Sequence, residues 1–292
     1  MTIGIGIGLA FVAMLCWGFG DFLIQKSTRK LGDWETLFII TGIGAVLLLP
    51  FVWHSLGQLW QADSHVWTVL IGASLVLFVA ALLEFEALRR GKLAVVEPIW
   101  SFEIPAAAVL AYLFLGEHIT WFQIVLAVML IVSLAFVSFR GKKFTLRFFI
   151  ERGVIISFIS AIAMGCANFF MGWGGRVADP LMVNFFTDVA LMLMCGLYLV
   201  IHGKLGSVFS DIRHGFATVI PMSIADKAAW VAYVFSMSLI PIAVATALSE
   251  SYIIIAVLLG LFVNKERLQG HQKIGLITAI IAAIVLASTT SV

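Results

Sequence analysis

Charge is scarce in this 292-residue chain. Asp, Glu, Lys and Arg make up 12% of it, about half the roughly 25% share usual in soluble domains. Hydrophobic residues reach 62%, against about 45–50% in soluble domains. Even a soluble domain of about 300 residues buries only about 75% of the surface its unfolded chain exposes, so this composition excludes a soluble fold. It excludes disorder for the same reason. The 18 Lys and Arg against 16 Asp and Glu give +2 and form no basic tract of the kind nucleic acid requires. Only three cysteines are present (Cys16, Cys166 and Cys195). They lie inside apolar runs without CxxC spacing, which excludes a disulfide framework and reads as small buried hydrophobes. Period-two alternation is missing, which argues against a β-barrel.

Signatures of catalysis are missing as well. There is no HExxH, GxSxG or Walker sequence, and Gly4-Ile5-Gly6 follows no strand. The six histidines (His54, His65, His118, His202, His214 and His271) are scattered over loops and run ends. His54 and His65 share one loop, but without a carboxylate partner they make a poor metal site. The chain is therefore expected to be no enzyme, with no cofactor, no metal and no nucleic-acid partner.

What the chain has in abundance is long apolar runs. A transmembrane helix takes about 20 mostly apolar residues, and ten runs qualify: 3–24, 34–53, 67–88, 94–115, 120–139, 153–174, 181–202, 217–239, 242–263 and 272–290. The expected fold is an all-α integral membrane protein of ten transmembrane helices. The first run has no basic residue ahead of it, Lys26 being the first lysine. It reads as a retained span and not a cleaved signal peptide.

The longest polar stretch, Arg140–Arg152, falls almost at the midpoint, and the halves on either side of it match. "LAVVEPIWSFEIPAAAVLAYLFLGEHITWFQ" from Leu93 aligns without gaps on "IAVATALSESYIIIAVLLGLFVNKERLQGHQ" from Ile242. Glu117 falls on Glu266, and Gly18, Asp21 and Phe22 fall on Gly165, Asn168 and Phe169. Five spans is an odd number, so two five-helix repeats insert with inverted topology. That plan recurs in secondary transporters, with the substrate site near mid-depth. Sixteen of the 18 Lys and Arg lie in the loops after odd-numbered spans. The positive-inside rule puts those loops in the cytoplasm and both termini outside.

Polar residues within spans are the informative ones, since a mid-bilayer charge costs about 2.5–3.5 kcal/mol on insertion scales. Glu103, Glu250 and the pair Asp226-Lys227 fall near the middle of spans 4, 9 and 8. Asp21, Glu84, Glu86 and Glu97 fall nearer the cytoplasmic ends, and Asp188 in the outer part of span 7. Glu250 aligns on Ser101, two residues from Glu103, so both repeats carry a carboxylate at similar depth. These two are the expected proton-coupling residues, because an apolar setting favours the neutral carboxyl. The competing reading is a structural ion pair with Lys227. Trp17 and Asp21 share a helix face at i, i+4, as do Asp226 and Trp230. With Trp100 in span 4, these indoles suit an amine or an aromatic or sugar ring, or else serve as interfacial anchors, as Trp173 would.

Other features point to structure. Pro98 and Pro105 flank Glu103, and Pro105 frees the Ser101 carbonyl, kinking span 4. Glu86 and Arg90 form a local i, i+4 pair. Thr120 through Gln123 reads as a capping box opening span 5, with Glu117 in the turn before it. Gly4 and Gly8 make a GxxxG contact motif.

The pattern resembles the drug/metabolite transporter superfamily, in its ten-span EamA-type branch. The likeness rests on the duplicated five-span unit, "CWGFGDF" from Cys16, Ala87-Leu88 closing span 3, and "LGEHITWFQ" ending at Gln123 after Pro105. Its echo is "NKERLQGHQKIG" from Asn264 to Gly275. The resemblance implies EamA-like repeats over 1–140 and 153–292 joined by a basic cytoplasmic linker at 141–152. It also implies a central cavity lined by spans 1, 3, 4, 6, 8 and 9. That set contains Asp21, Glu103, Asn168, Asp226, Lys227 and Glu250. With Trp17, Trp100 and Trp230 these are the expected substrate-binding residues. The expected function is proton-coupled secondary transport of a small polar or amphiphilic metabolite (amino acid, amine, sugar or drug-like) across the cytoplasmic membrane, with export favoured. The alternative is a cation channel or divalent-cation transporter using the same carboxylates. Expected partners are the small-molecule substrate and membrane lipid, and a homodimer stays open.

Overall fold

The computed structural model describes residues 2–90, 99–138, 152–252, 254–255 and 269–290. Glu97, Pro98, Glu266 and most of the 141–152 linker lie outside the described residues. The described residues contain helices and turns and no strands.

The helices are α1 (Thr2–Leu31), α2 (Asp33–Val52), α3 (Ser64–Arg90), α4 (Glu103–Leu115), α5 (Trp121–Ser138), α6 (Arg152–Val177), α7 (Pro180–Ile201), α8 (Leu205–Leu239), α9 (Ile242–Ser249) and α10 (Gly270–Thr290). A 3-10 turn at Trp53–Ser55 and a one-turn helix at Leu56–Leu59 prolong α2. Six stretches are long and apolar enough to cross a membrane: α1, α2 with its extension to Leu59, α3, α6 over Ile155–Val177, α7, and α10 over Gly270–Thr289. α8 begins twelve residues before the expected span and brings polar residues with it.

Spans 4 and 9 are not the continuous helices the apolar runs suggested. Span 4 breaks at Ser101-Phe102, so that Glu103 opens α4. Pro105 has no N–H to offer the Ser101 carbonyl, which instead accepts the Ile104 N–H at 3.3 Å. Span 9 breaks at Glu250-Ser251, where no proline stands. Here the hydroxyls of Thr246, Ser249 and Ser251 donate to the carbonyls of Ile242, Thr246 and Ala247, a competition that bends helices.

Helix ends follow local chemistry. Asp179 caps α7 by accepting the N–H groups of Leu181 and Met182, with Pro180 as the first helical residue, where a missing N–H costs nothing. Gly116 ends α4 in the left-handed region at φ 63°, a conformation open to glycine. The box opening α5 is reciprocal: Thr120 N–H donates to Gln123 Oε1 at 3.0 Å and Gln123 N–H to Thr120 Oγ1 at 3.3 Å. Its counterpart ahead of α10 sits 149 residues on, Gln269 N–H donating to Gln272 Oε1 at 3.0 Å. That offset is the one in the gapless alignment.

Packing joins the halves. The most extensive helix contacts among the described residues are α1 with α8, α3 with α6, α5 with α10 and α2 with α7. Each crosses between the halves, and the set is unchanged when every helix is exchanged with its counterpart five places along. Close approach on α1 comes from Gly6, whose hydrogen faces Ile240 and Leu239, and not from Gly4 and Gly8, which touch nothing within 4 Å. The GxxxG reading is corrected accordingly: a membrane interface needs small residues where a partner lies, and this partner lies over Gly6.

Two arginine clusters tie the ends of the bundle. Arg176 at the end of α6 donates to the Met237 carbonyl at 2.8 and 3.0 Å and to Ile240 at 3.2 Å, and it pairs with Glu117. Glu117 also accepts the Ile242 N–H at the start of α9, at 2.9 Å. At the opposite end, Arg29 of α1 donates to the Leu88 carbonyl at 3.5 Å. Leu88 precedes Met237 by the same 149 residues. Nearby, Glu86 pairs with Arg90 as expected and also with Arg89, which reaches Asp33 at 3.2 Å.

Candidate functional site

A cavity of about 70 Å³ lies at the centre of the bundle, room for a few waters. Its wall includes all nine residues singled out for substrate binding: Trp17, Asp21, Trp100, Glu103, Asn168, Asp226, Lys227, Trp230 and Glu250. Trp17 is 9% exposed and Trp100 1%. Both serve the interior, not the membrane interface, and the Trp100 indole N–H donates to Ser160 Oγ at 3.1 Å. Trp173 lies elsewhere, packed among Phe114, Phe169 and Phe170.

The two helix breaks bring their carboxylates to this cavity. Glu103 is 3% exposed and Glu250 6%. Glu103 Oε2 accepts from Asn168 Nδ2 of α6 at 2.9 Å. Backbones meet here: a Cβ on Gly165 would stand 2.7 Å from the Glu103 carbonyl oxygen. The other half repeats the contact at the aligned positions. Gly18 of α1 lies by Tyr252, its would-be Cβ 3.5 Å from that carbonyl oxygen, and Asp21 is hydrogen-bonded by the Tyr252 side chain.

Lys227 pairs with neither Glu103 nor Glu250. Its Nζ donates to Asp188 Oδ1 at 2.7 Å and lies 2.7 Å from Oδ2. The reading that tied those glutamates to Lys227 is therefore wrong. α8 presents Lys227 to α7, and Gly44 of α2 leaves the space, since a Cβ there would run into the Asp188 carboxylate and Lys227 Cε.

Sequence reasoning underrated part of this wall. Glu84 and Asp188 also line the cavity, with Tyr252, and Glu84 lies within electrostatic reach of Asp21, Asp226 and Glu250. Helices α2 and α7, absent from the expected lining, contribute Thr41, Asn184, Thr187 and Asp188. A signal was present: Asn184, Thr187 and Asp188 recur at i, i+3, i+4 in an otherwise apolar helix. Six carboxylates thus face one lysine, and that lysine is already matched by Asp188. Among the described residues, no three His, Cys, Asp or Glu groups converge so as to hold a metal ion.

The model of the EamA-like transporter family matches residues 4–139 and 151–288, one copy for each half. The chain belongs to the EamA-like transporter family. Its two family units supply the elements that meet at the cavity: α1 to α4 from the first, α6 to α9 from the second. A solved crystal structure is similar to this EamA-like protein with a TM-score of 0.76 over 98% of this chain and 97% of the other, at 15% sequence identity. At that identity the likeness speaks for the fold alone. No curated protein matches the chain. The family is one of transporters, and the apolar helices make this a multi-pass membrane protein.

Proposed function

We propose that this protein is a secondary active transporter that moves a small polar or amphiphilic metabolite across the cytoplasmic membrane by alternating access. In this reading ten spans cross the bilayer as two inverted five-helix repeats, 1–140 and 153–292. The basic linker and the other odd-numbered loops are cytoplasmic, both termini are outside, and transport runs outward. The observation that carries the reading is the central cavity, where both halves place buried carboxylates beside indoles. Charged groups at that depth are costly, and a structural ion pair accounts only for Asp188 and Lys227. The matched packing of the halves supports two conformations of similar energy, one open to each side.

Proton coupling is assigned to Glu103 and Glu250. Each stands at a helix break. Both lie within electrostatic reach of each other and of Glu84 from α3, Glu103 also of Asp21 from α1, and Asp226 from α8 lines the same cavity. Lys227 and Asp188 line the same cavity, and Tyr233 and Tyr252 lie in reach of the group. Release of substrate and uptake of a proton would both relieve the same excess of negative charge. The channel or divalent-cation alternative gains no support from the wall, where no metal-binding cluster forms among the described residues.

The test uses the full chain in proteoliposomes under an imposed pH gradient, with a panel of amino acids, amines and sugars. Wild type should move at least one of them with saturable counterflow and a matching change in lumenal pH. Glu103→Gln and Glu250→Gln should abolish gradient-driven movement while eluting as folded protein. Undiminished gradient-driven transport by both variants would overturn proton coupling, and unitary currents without counterflow would overturn the carrier.

A further inference from the structure

The two carboxylate–indole pairs that the sequence placed on separate helices meet face to face. α1 and α8 form the most extensive helix contact among the described residues, and their backbones come close at the depth of the acids. A Cβ on Gly20 would lie 3.7 Å from Ala225 Cβ and 3.9 Å from the Asp226 nitrogen. This sets Asp21 beside Asp226, and one turn away it sets Trp17 against Trp230, edge to face with ring centroids 5.5 Å apart. Tyr233 closes the aromatic group, 5.0 Å from Trp17 and 5.9 Å from Trp230. Glu84 of α3 looks onto the same pair of aspartates.

We infer that the α1–α8 wall of the cavity binds the head of a protonated organic amine, held between Asp21 and Asp226 and against the indole faces of Trp17 and Trp230. The inference rests on the transporter reading and narrows its substrate class. Two aspartates side by side are relieved by a proton on one of them or by a cation between them, and the rings favour the second through the attraction of π faces for a desolvated cation. The resident cation, Lys227, is ion-paired with Asp188 on α7 and reaches Asp226 only as a nearby charge. The Asn168 amide donates to Glu103. A second sign of a donor-rich ligand lies on α7. Asn184 is wholly buried and lines the cavity, and its Nδ2 donates to the Pro180 carbonyl at 2.8 Å, yet its Oδ1 has no partner among the described residues. An orphaned buried acceptor costs free energy, which a hydrogen-bond donor elsewhere on the ligand would recover. An anion would meet repulsion, and a neutral isostere would lack the ion pairs.

The experiment compares three probes that share a phenethyl group on the intact detergent-purified protein: phenethylamine, N-acetylphenethylamine and 3-phenylpropionate. Binding is read as thermal stabilisation and as a change in tryptophan fluorescence. Phenethylamine should bind at least about tenfold more tightly than either of the others, since ion pairs and cation–π contacts are lost together in the amide. Equal or tighter binding of the amide or the acid overturns the inference without any variant. Asp21→Asn and Asp226→Asn should each weaken the amine about tenfold or more, and Trp230→Leu about fivefold. Asp63→Asn, in the connection before α3, should leave it unchanged. Unaltered amine affinity in both folded aspartate variants would place the site elsewhere. Binding is measured without transport, so a non-amine that is carried with counterflow would refute the amine and leave the carrier standing.

Discussion

The two halves share a scaffold but not a chemistry. Gly18 meets the Tyr252 backbone as Gly165 meets that of Glu103, and the glutamine caps of α5 and α10 repeat at one offset. At the same aligned places the polar side chains differ. On one side Asp21 of α1 is acidic and Tyr252 neutral, while on the other Asn168 of α6 is neutral and Glu103 acidic. Each contact holds a single carboxylate, contributed by opposite members of the pair. The Asp188–Lys227 pair has no acid–lysine counterpart in α2 and α3 at all. In the proposed carrier the repeated backbone contacts are what would let two conformations match in energy, and the differing side chains suit a bound molecule without two-fold symmetry.

The strongest way to sharpen this contrast is to remove the feature only one half has. Lys227→Met leaves Asp188 buried without its partner and should cost about 3–5 kcal/mol, read as a lowered melting temperature in detergent. Lys227→Met with Asp188→Asn should recover most of that loss, and equal melting of the single and double variants would show that the pair does not act as a unit. The shared scaffold is tested next. Gly165→Ala drives a methyl onto Ala106 and the Glu103 carbonyl and should cost about 1–3 kcal/mol. Gly18→Ala meets Ile255 at 3.3 Å and the Tyr252 carbonyl at 3.5 Å, a tight fit that asks only a small shift of Ile255, and should cost less than Gly165→Ala. Equal losses would make the halves alike where the structure has them unequal.

How far the sequence foretold this is clearest at particular residues. Trp17 with Asp21 and Asp226 with Trp230 stood out from the cost of charge in lipid and from i, i+4 spacing. That the pairs oppose one another depends on α1 packing against α8, which no local pattern encodes. Pro105 announced the break in span 4. Span 9 gave only Thr246, Ser249 and Ser251, residues equally at home in an unbroken helix, so its break was not expected. Glu84 and Asp188 were placed toward span ends because depth was counted along straight, separate helices. The partner of Lys227 was misjudged for the same reason: distance along a span says nothing about which neighbour a side chain turns to.

The smallest effect concerns the caps. Thr120→Ala removes one arm of the α5 box and should cost about 1 kcal/mol, leaving transport intact. A loss of transport at unchanged stability would mean that the turn takes part in more than holding the helix end.

The leading contacts all run between helices made early and helices made late, α1 with α8 and α5 with α10 among them. A nascent first half therefore enters the bilayer with its best docking faces unmatched, and must wait for the second half to be made before they are covered. Assembly of this bundle is a late event in synthesis, and two halves made as separate chains carry the complementary faces needed to find each other.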